Sequence, residues 1–300
     1  MNVTKIIVKI ITTIIVLILA QNSVKSQSGF EPVSASFKIF PKYDSDSPTI
    51  TQFKSSLSWP VLIREKYSVL LAGSYENNRY KELGFPLQNR TVQSVSGQII
   101  LNKPLSQTKN FTAILNAGIN SDFEDISSED FNYSLFGLWS KFSNTSFSYS
   151  YGFAYTRQFY GHSIFPFFGF SKQLGDKLVL NFMNPIGPVI LYKFSDMVTY
   201  GFQGNYSSGD SRLSELQDSR IFVDRKGDIS FFTDIGVTKA LVLNVTTGYS
   251  FLRNIRVFED VENSSSKWFN LKVDNNPIFE KESKGMFFEV GLKLRFSGNK

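Results

Sequence analysis

The chain has 300 residues, a formal charge of +6, no cysteine, one histidine and 43 Phe and Tyr residues. Without cysteine there is no disulfide, no thiolate metal site and no acylated lipoprotein anchor. A single histidine excludes a histidine metal cluster. The charge falls to about +3 if Lys5, Lys9 and Lys25 are removed with a leader, too small an excess to argue for nucleic acid.

The N-terminus carries that leader. Lys5 and Lys9 precede an apolar run over 10–20, the pattern of a secretory signal peptide. Eleven residues are too few for a spanning helix, which needs about 20. Small residues around Ser26 predict cleavage before Gln27, so the expected organisation is a signal peptide over 1–26 and one domain over 27–300. Later apolar runs are short and broken. If the mature chain enters a membrane, it does so as a closed barrel, because only helices and barrels satisfy every backbone group in lipid.

Alternation then recurs along the chain. Segments 35–40, 51–59, 67–75, 94–102 and 111–120 read as strands, with polar turns at 43–48 and 106–109. Residues 121–130 hold five acids without the spacing of a calcium loop, which reads as a solvated face. The clearest hairpin runs over 131–142, turns at 143–145 and returns as Phe147, Tyr149, Tyr151, Phe153 and Tyr155. The intervening face is Ser148, Ser150, Gly152, Ala154 and Thr156. A soluble core would need an equally large partner sheet for those rings, whereas lipid needs none. Strands follow at 164–171, 178–183, 189–194, 198–206, 221–223, 229–237 and 241–251, with a Pro/Gly turn at 184–188.

The last strand is the most regular. Phe288, Val290, Leu292, Leu294 and Phe296 alternate with Glu289, Gly291, Lys293 and Arg295. Short turns alternate with longer connections at 77–92, 121–130, 207–219 and 253–284, the layout of an outer-membrane barrel with short turns in the periplasm. The expected fold is all-β: a single antiparallel transmembrane β-barrel of about 14 strands, or 12 if the two proline-bounded strands over 178–194 do not both cross.

Glu289, Gly291, Leu294 and Phe296 also resemble the C-terminal signal of outer-membrane barrels, polar-x-Gly-x-x-apolar-x-aromatic, although four residues follow it here. The resemblance implies recognition by the barrel-assembly machinery. With its aromatic-rich strands and the turn Phe194-Ser195-Asp196, the chain resembles the uncharacterised outer-membrane β-barrel families of the Bacteroidota over roughly 30–296. It implies insertion among outer-membrane lipid and carries over no catalytic residues.

Chemistry is sparse. No phosphate loop, dinucleotide fingerprint or zinc motif is present, so no cofactor is expected. His162 is a weak catalytic candidate. Ser163 beside it would face the other way on a strand, so a dyad needs a serine from a neighbour, such as Ser148 or Ser150. Lumen-facing positions such as Thr199, Gln203, Asn205, Asn244 and Thr246 are neutral and polar. The favoured reading is an outer-membrane pore or transport protein for small molecules. The alternatives are a lipid-modifying enzyme built on His162 and a surface-binding barrel using the loop over 253–284.

Overall fold

The computed structural model describes residues 30–43, 47–84, 87–159, 161–184, 187–213, 220–259 and 277–296. The signal-peptide reading over 1–26 and the middle of the loop over 253–284 lie outside the described residues. The strands are β1 (Phe30–Phe40), β2 (Thr49–Arg64), β3 (Tyr67–Lys81), β4 (Arg90–Ser106), β5 (Lys109–Ser121), β6 (Phe131–Asn144), β7 (Phe147–Gln158) and β8 (Gly161–Leu174). They continue as β9 (Leu178–Asn184), β10 (Gly187–Lys193), β11 (Val198–Leu213), β12 (Arg220–Gly236), β13 (Leu241–Glu259), β14 (Phe279–Glu282) and β15 (Gly285–Phe296).

Each strand pairs antiparallel with its neighbour in sequence from β1 to β13. β13 then pairs with β15, and β15 pairs with β1, which closes the ring at fourteen strands. The short β14 adds only to the upper part of β13, through Asn254–Val257. Closure removes every free sheet edge from the lower wall, as lipid demands. The all-β barrel is therefore the fold, and both proline-bounded strands belong to it.

Period-two alternation sorts the wall into two faces. Phe37, Phe53, Leu71, Ile99, Leu115, Leu135, Tyr151, Phe168, Ile190, Phe202, Phe231, Val245 and Val290 form an exposed apolar belt. In register they lie beside one another, as in Phe37 between Phe53 and Val290. On β7, Tyr151 and Phe153 are 54% and 60% exposed, whereas Gly152, Ala154 and Thr156 are buried inside. Such a belt is stable in hydrocarbon and not in water.

The strands outrun the sequence reading at both ends, most on the long-loop rim. β3 continues to Lys81, β11 to Leu213 and β13 to Glu259, and β12 is one strand from Arg220 rather than two. Asp210–Leu213 and Ile221–Asp224 are buried at every position. Both faces there meet protein, so no alternation marks them as strand. β9 and β10 are the opposite case: at seven residues each they are the shortest strands of the closed wall. Their hairpin begins its return at Gly187, where φ is +126° and a Cβ would lie 2.2 Å from the Gly204 carbonyl oxygen. Only glycine fits that close, left-handed position.

Candidate functional site

The interior divides into two halves. The first, formed by β12, β13, β15 and β1–β3, is charged, and it is filled where β12 and β13 meet β1. On β2 and β3 the inward Lys54, Ser56 and Ser74 stay exposed, with Lys54 paired to Glu76 at 3.2 Å. Lys38 donates to Asp228 at 3.0 Å, and both are buried. Arg253 donates to both oxygens of Asp224, at 3.2 and 2.6 Å, and the Tyr80 hydroxyl donates to the same carboxylate at 2.9 Å. The Arg253 guanidinium also lies 4.4 Å from the Phe40 ring, and the Lys38 ammonium 3.5 Å from the Phe287 ring. Lower down, Lys293 and Arg295 both reach Asp234, and Arg295 also reaches Glu31. Buried charge is tolerated only with such partners. These contacts join β1 and β3 to β12 across the interior. Above them sits an apolar cluster of Phe40, Ile50, Leu83, Leu87, Val92, Leu213, Phe222, Ile255, Val257 and Phe287. On the rim outside, a hydrogen bond from Lys42 holds the Glu82 carboxyl below its ordinary range.

The tip of β11 and β12 lies across the mouth. Arg212 pairs in register with Ser121 of β5, and its carbonyl accepts from the Asp122 N–H at 3.2 Å. Its guanidinium donates to Asp130, which is fully buried, at 3.1 Å and lies 3.8 Å from Asp125. The Asn120 side chain donates to the Asp210 carbonyl, and the Phe159 N–H donates to the Asp210 carboxylate at 3.0 Å. The acidic segment 121–130 is thus a dock for β11 through Asp125 and Asp130 rather than simply a solvated face.

The second half, the inner face of β5–β10, is different. No inward position there is charged until Lys193 at the short-turn end. Its middle is apolar: Ile114, Phe136, Leu138, Phe165, Phe167 and Leu191. The Phe136 and Phe167 rings lie 5.6 Å apart, and Phe165 and Phe167 5.2 Å apart. Serines and asparagines flank them, including Ser140, whose hydroxyl is 2.8 Å from that of Ser150. These side chains are half-buried, unlike Asp228, Ser230 and Thr246 opposite, which are buried. Half-buried to exposed inner faces thus run from β2 to β10, charged on β2 and β3 through Lys54 and Glu76 and uncharged from β5 until Lys193 of β10.

The structure places the sequence candidates as follows. His162 lies on the outer face at the rim, with Nδ1 2.6 Å from the Tyr155 hydroxyl and the two rings stacked. Ser163 faces inward, and so do Ser148 and Ser150, toward the other end of β7. The structure does not bring His162 together with a serine. Thr199, Gln203, Asn244 and Thr246 do face inward, on the register of β11–β13. The expectation of a mostly neutral lumen holds for β5–β10 and fails for β12–β3, where Asp224, Asp228, Asp234 and Arg253 share the inner face. Alternation marked their side of the wall, but no sequence spacing marked their partners. In the terminal strand, Glu289 opposes Lys38, Gly291 packs against Ser36 and Leu294 pairs with Val33; Phe296 pairs through its backbone with Phe30. Among the described residues, no group of acids and histidine could hold a metal ion.

A family described as a domain of unknown function, DUF6268, matches residues 64–295. The chain belongs to the DUF6268 family. A comparison with curated proteins gives no match. Among solved structures, the chain is similar to the NanC porin, with 9% identity, a TM-score of 0.37 and coverage of 88% of this chain and 98% of that one. It is also similar to the KdgM porin, at 10% identity and a TM-score of 0.36, covering 88% and 99%. The Pseudomonas putida toluene transporter TodX matches at 7% identity and a TM-score of 0.44, covering 91% of each chain. At such identities and scores these similarities carry no argument about cargo.

Proposed function

We propose that this DUF6268 protein is a bacterial outer-membrane pore or transport protein for small molecules. The observation that carries the reading is the half-exposed, uncharged inner wall of β5–β10 inside a closed barrel with an apolar belt. A barrel that served only as an anchor has no need of an inner wall left half-exposed. The long-loop rim faces outward and the short-turn rim faces the periplasm. Export by the leader over 1–26 and recognition of Glu289, Gly291, Leu294 and Phe296 by the assembly machinery belong to the same proposal. So does a source among the Bacteroidota, on the resemblance of the aromatic strands and the Phe194-Ser195-Asp196 turn. The test is liposome swelling with the refolded barrel and arabinose as solute. Solute entry above protein-free liposomes supports the reading; impermeable liposomes holding correctly folded, heat-modifiable barrel overturn it.

A further inference from the structure

We infer that the barrel has a window in its wall, opening sideways into the outer leaflet, and that it passes small uncharged apolar molecules between the lumen and the lipid. This rests on the transport reading and specifies its cargo and route.

The window follows from the pairing. β8 is bonded to β7 along its whole length, but to β9 only from Phe168 to Leu174. Among the described residues, its stretch 161–167 therefore has no partner on that side. Among the described residues, β11 is bonded to β10 only through residues 199–203, so above Gly204 it pairs with β12 alone until Arg212 reaches Ser121. The short β9–β10 hairpin forms the sill, and the two unpaired edges form the sides. The bond from the Phe159 N–H to Asp210 forms the lintel, with Phe159 packed on Ile221, Val223 and Phe258.

Its height sets what it opens into. Seven tilted residues rise about 18 Å, against an apolar band about 25 Å tall. The upper part of that band is therefore unwalled beside β9–β10. The outward residues at this level of β7 and β8 are Phe153, Ile164 and Pro166, followed at the rim by Tyr155 and His162. Unpaired strand edges do not persist against hydrocarbon unless they line a cavity. The edges at 161–167 and above Gly204 thus border the lumen.

The lining sets the cargo. Phe165 and Phe167 stand on the inner face just inside one edge, and Phe136 adjoins them. Among the described residues, no charged side chain faces inward between these rings and the β9–β10 sill; beyond the other edge, Lys226 and Asp228 stand inward beside Ser207 and Asn205 of β11. The axial route out is crossed by the β11–β12 tip. On the β8 side of this lateral path an apolar molecule finds rings and then lipid.

Two measurements test the inference, and the absence of cysteine makes the first clean. Single nitroxide labels on Ser163→Cys and Asn205→Cys, inner-face positions beside the window, are compared with Ser150→Cys, an inner-face position behind a complete wall. In bilayers, the first two are expected to collide with lipid-phase oxygen several-fold more often than Ser150→Cys. Equal shielding of all three overturns the window. The second measurement is entry of uncharged N-phenylnaphthylamine into cells with a lipopolysaccharide outer membrane. Wild type should raise it, and Phe167→Arg, checked for heat-modifiable folding, should remove most of the gain. Lipid-exposed labels with no such gain overturn the cargo. Arabinose swelling that persists while either arm fails leaves the pore reading standing without the window.

Discussion

The hydroxyl of Tyr80 on β3 meets the carboxylate of Asp224 on β12 at 2.9 Å, although five strand interfaces separate them around the wall. The contact spans the interior and shares its carboxylate with buried Arg253. Asp224→Ala leaves that guanidinium in a buried site without its main counterion. The expected loss is about 3–5 kcal/mol, the usual consequence of breaking a buried ion pair from one side. Tyr80→Phe removes one hydrogen bond to a charged group and should lose about 1–3 kcal/mol. Urea unfolding in liposomes, followed by heat-modifiable migration, measures both; equal stability of the two variants would contradict the pairing.

The faces of β7 give a second prediction. Tyr151 lies in the lipid belt and Ser150 inside. Tyr151→Arg should cost roughly 2–4 kcal/mol of folding free energy, as basic residues do on the lipid face of barrels. Ser150→Arg should fold and shift planar-bilayer conductance toward anions. Folding yields into liposomes separate the outcomes, and the reverse order of tolerance would invert the wall.

The mouth is the third case. Arg212 holds the β11–β12 tip to β5 and to buried Asp130. Arg212→Ala should loosen the tip and raise single-channel conductance. An unchanged conductance with intact folding would mean that the tip does not obstruct the route.

His162 supplies a fourth test. Its structural contact is the Tyr155 hydroxyl on the outer face. His162→Ala should leave solute entry at the wild-type rate. Loss of a lipid hydrolase activity in that variant would restore the enzymatic alternative.

A fifth test concerns assembly. Phe296→Ala removes the aromatic of the terminal signal, on the strand that closes against β1. Outer-membrane levels in fractionated cells should fall, while the same change at Phe288 should have a smaller effect. Normal levels for Phe296→Ala would make the match to the signal accidental.

The lower wall was legible because each of its residues faces either lipid or lumen, and solvent writes that difference into every second position. Phe147 to Tyr155 and Phe288 to Phe296 show it directly. The two halves of the lumen were not legible. Lys38 and Asp228 are 190 residues apart in the chain, and alternation reports the face of a residue, not its partner across a cavity. The β11–β12 tip escaped for a related reason: Asp210 to Leu213 and Ile221 to Asp224 are covered on both sides, so their pattern reads as a loop. The proline-bounded strands were legible as short, but only the register against β8 and β11 shows what their shortness leaves unpaired.

The low β9–β10 hairpin also bears on how the molecule sits among its lipids. The apolar belt is about 7 Å shorter there than a full-height wall, given a band near 25 Å. Hydrophobic mismatch costs fractions of a kcal/mol per Å, so the bilayer thins beside this hairpin or the barrel axis leans until the belt levels. Either response gives the cylinder a preferred side. Where the response is thinning, acyl chains next to β9–β10 are expected to be more compressed and less ordered than those next to β2–β5.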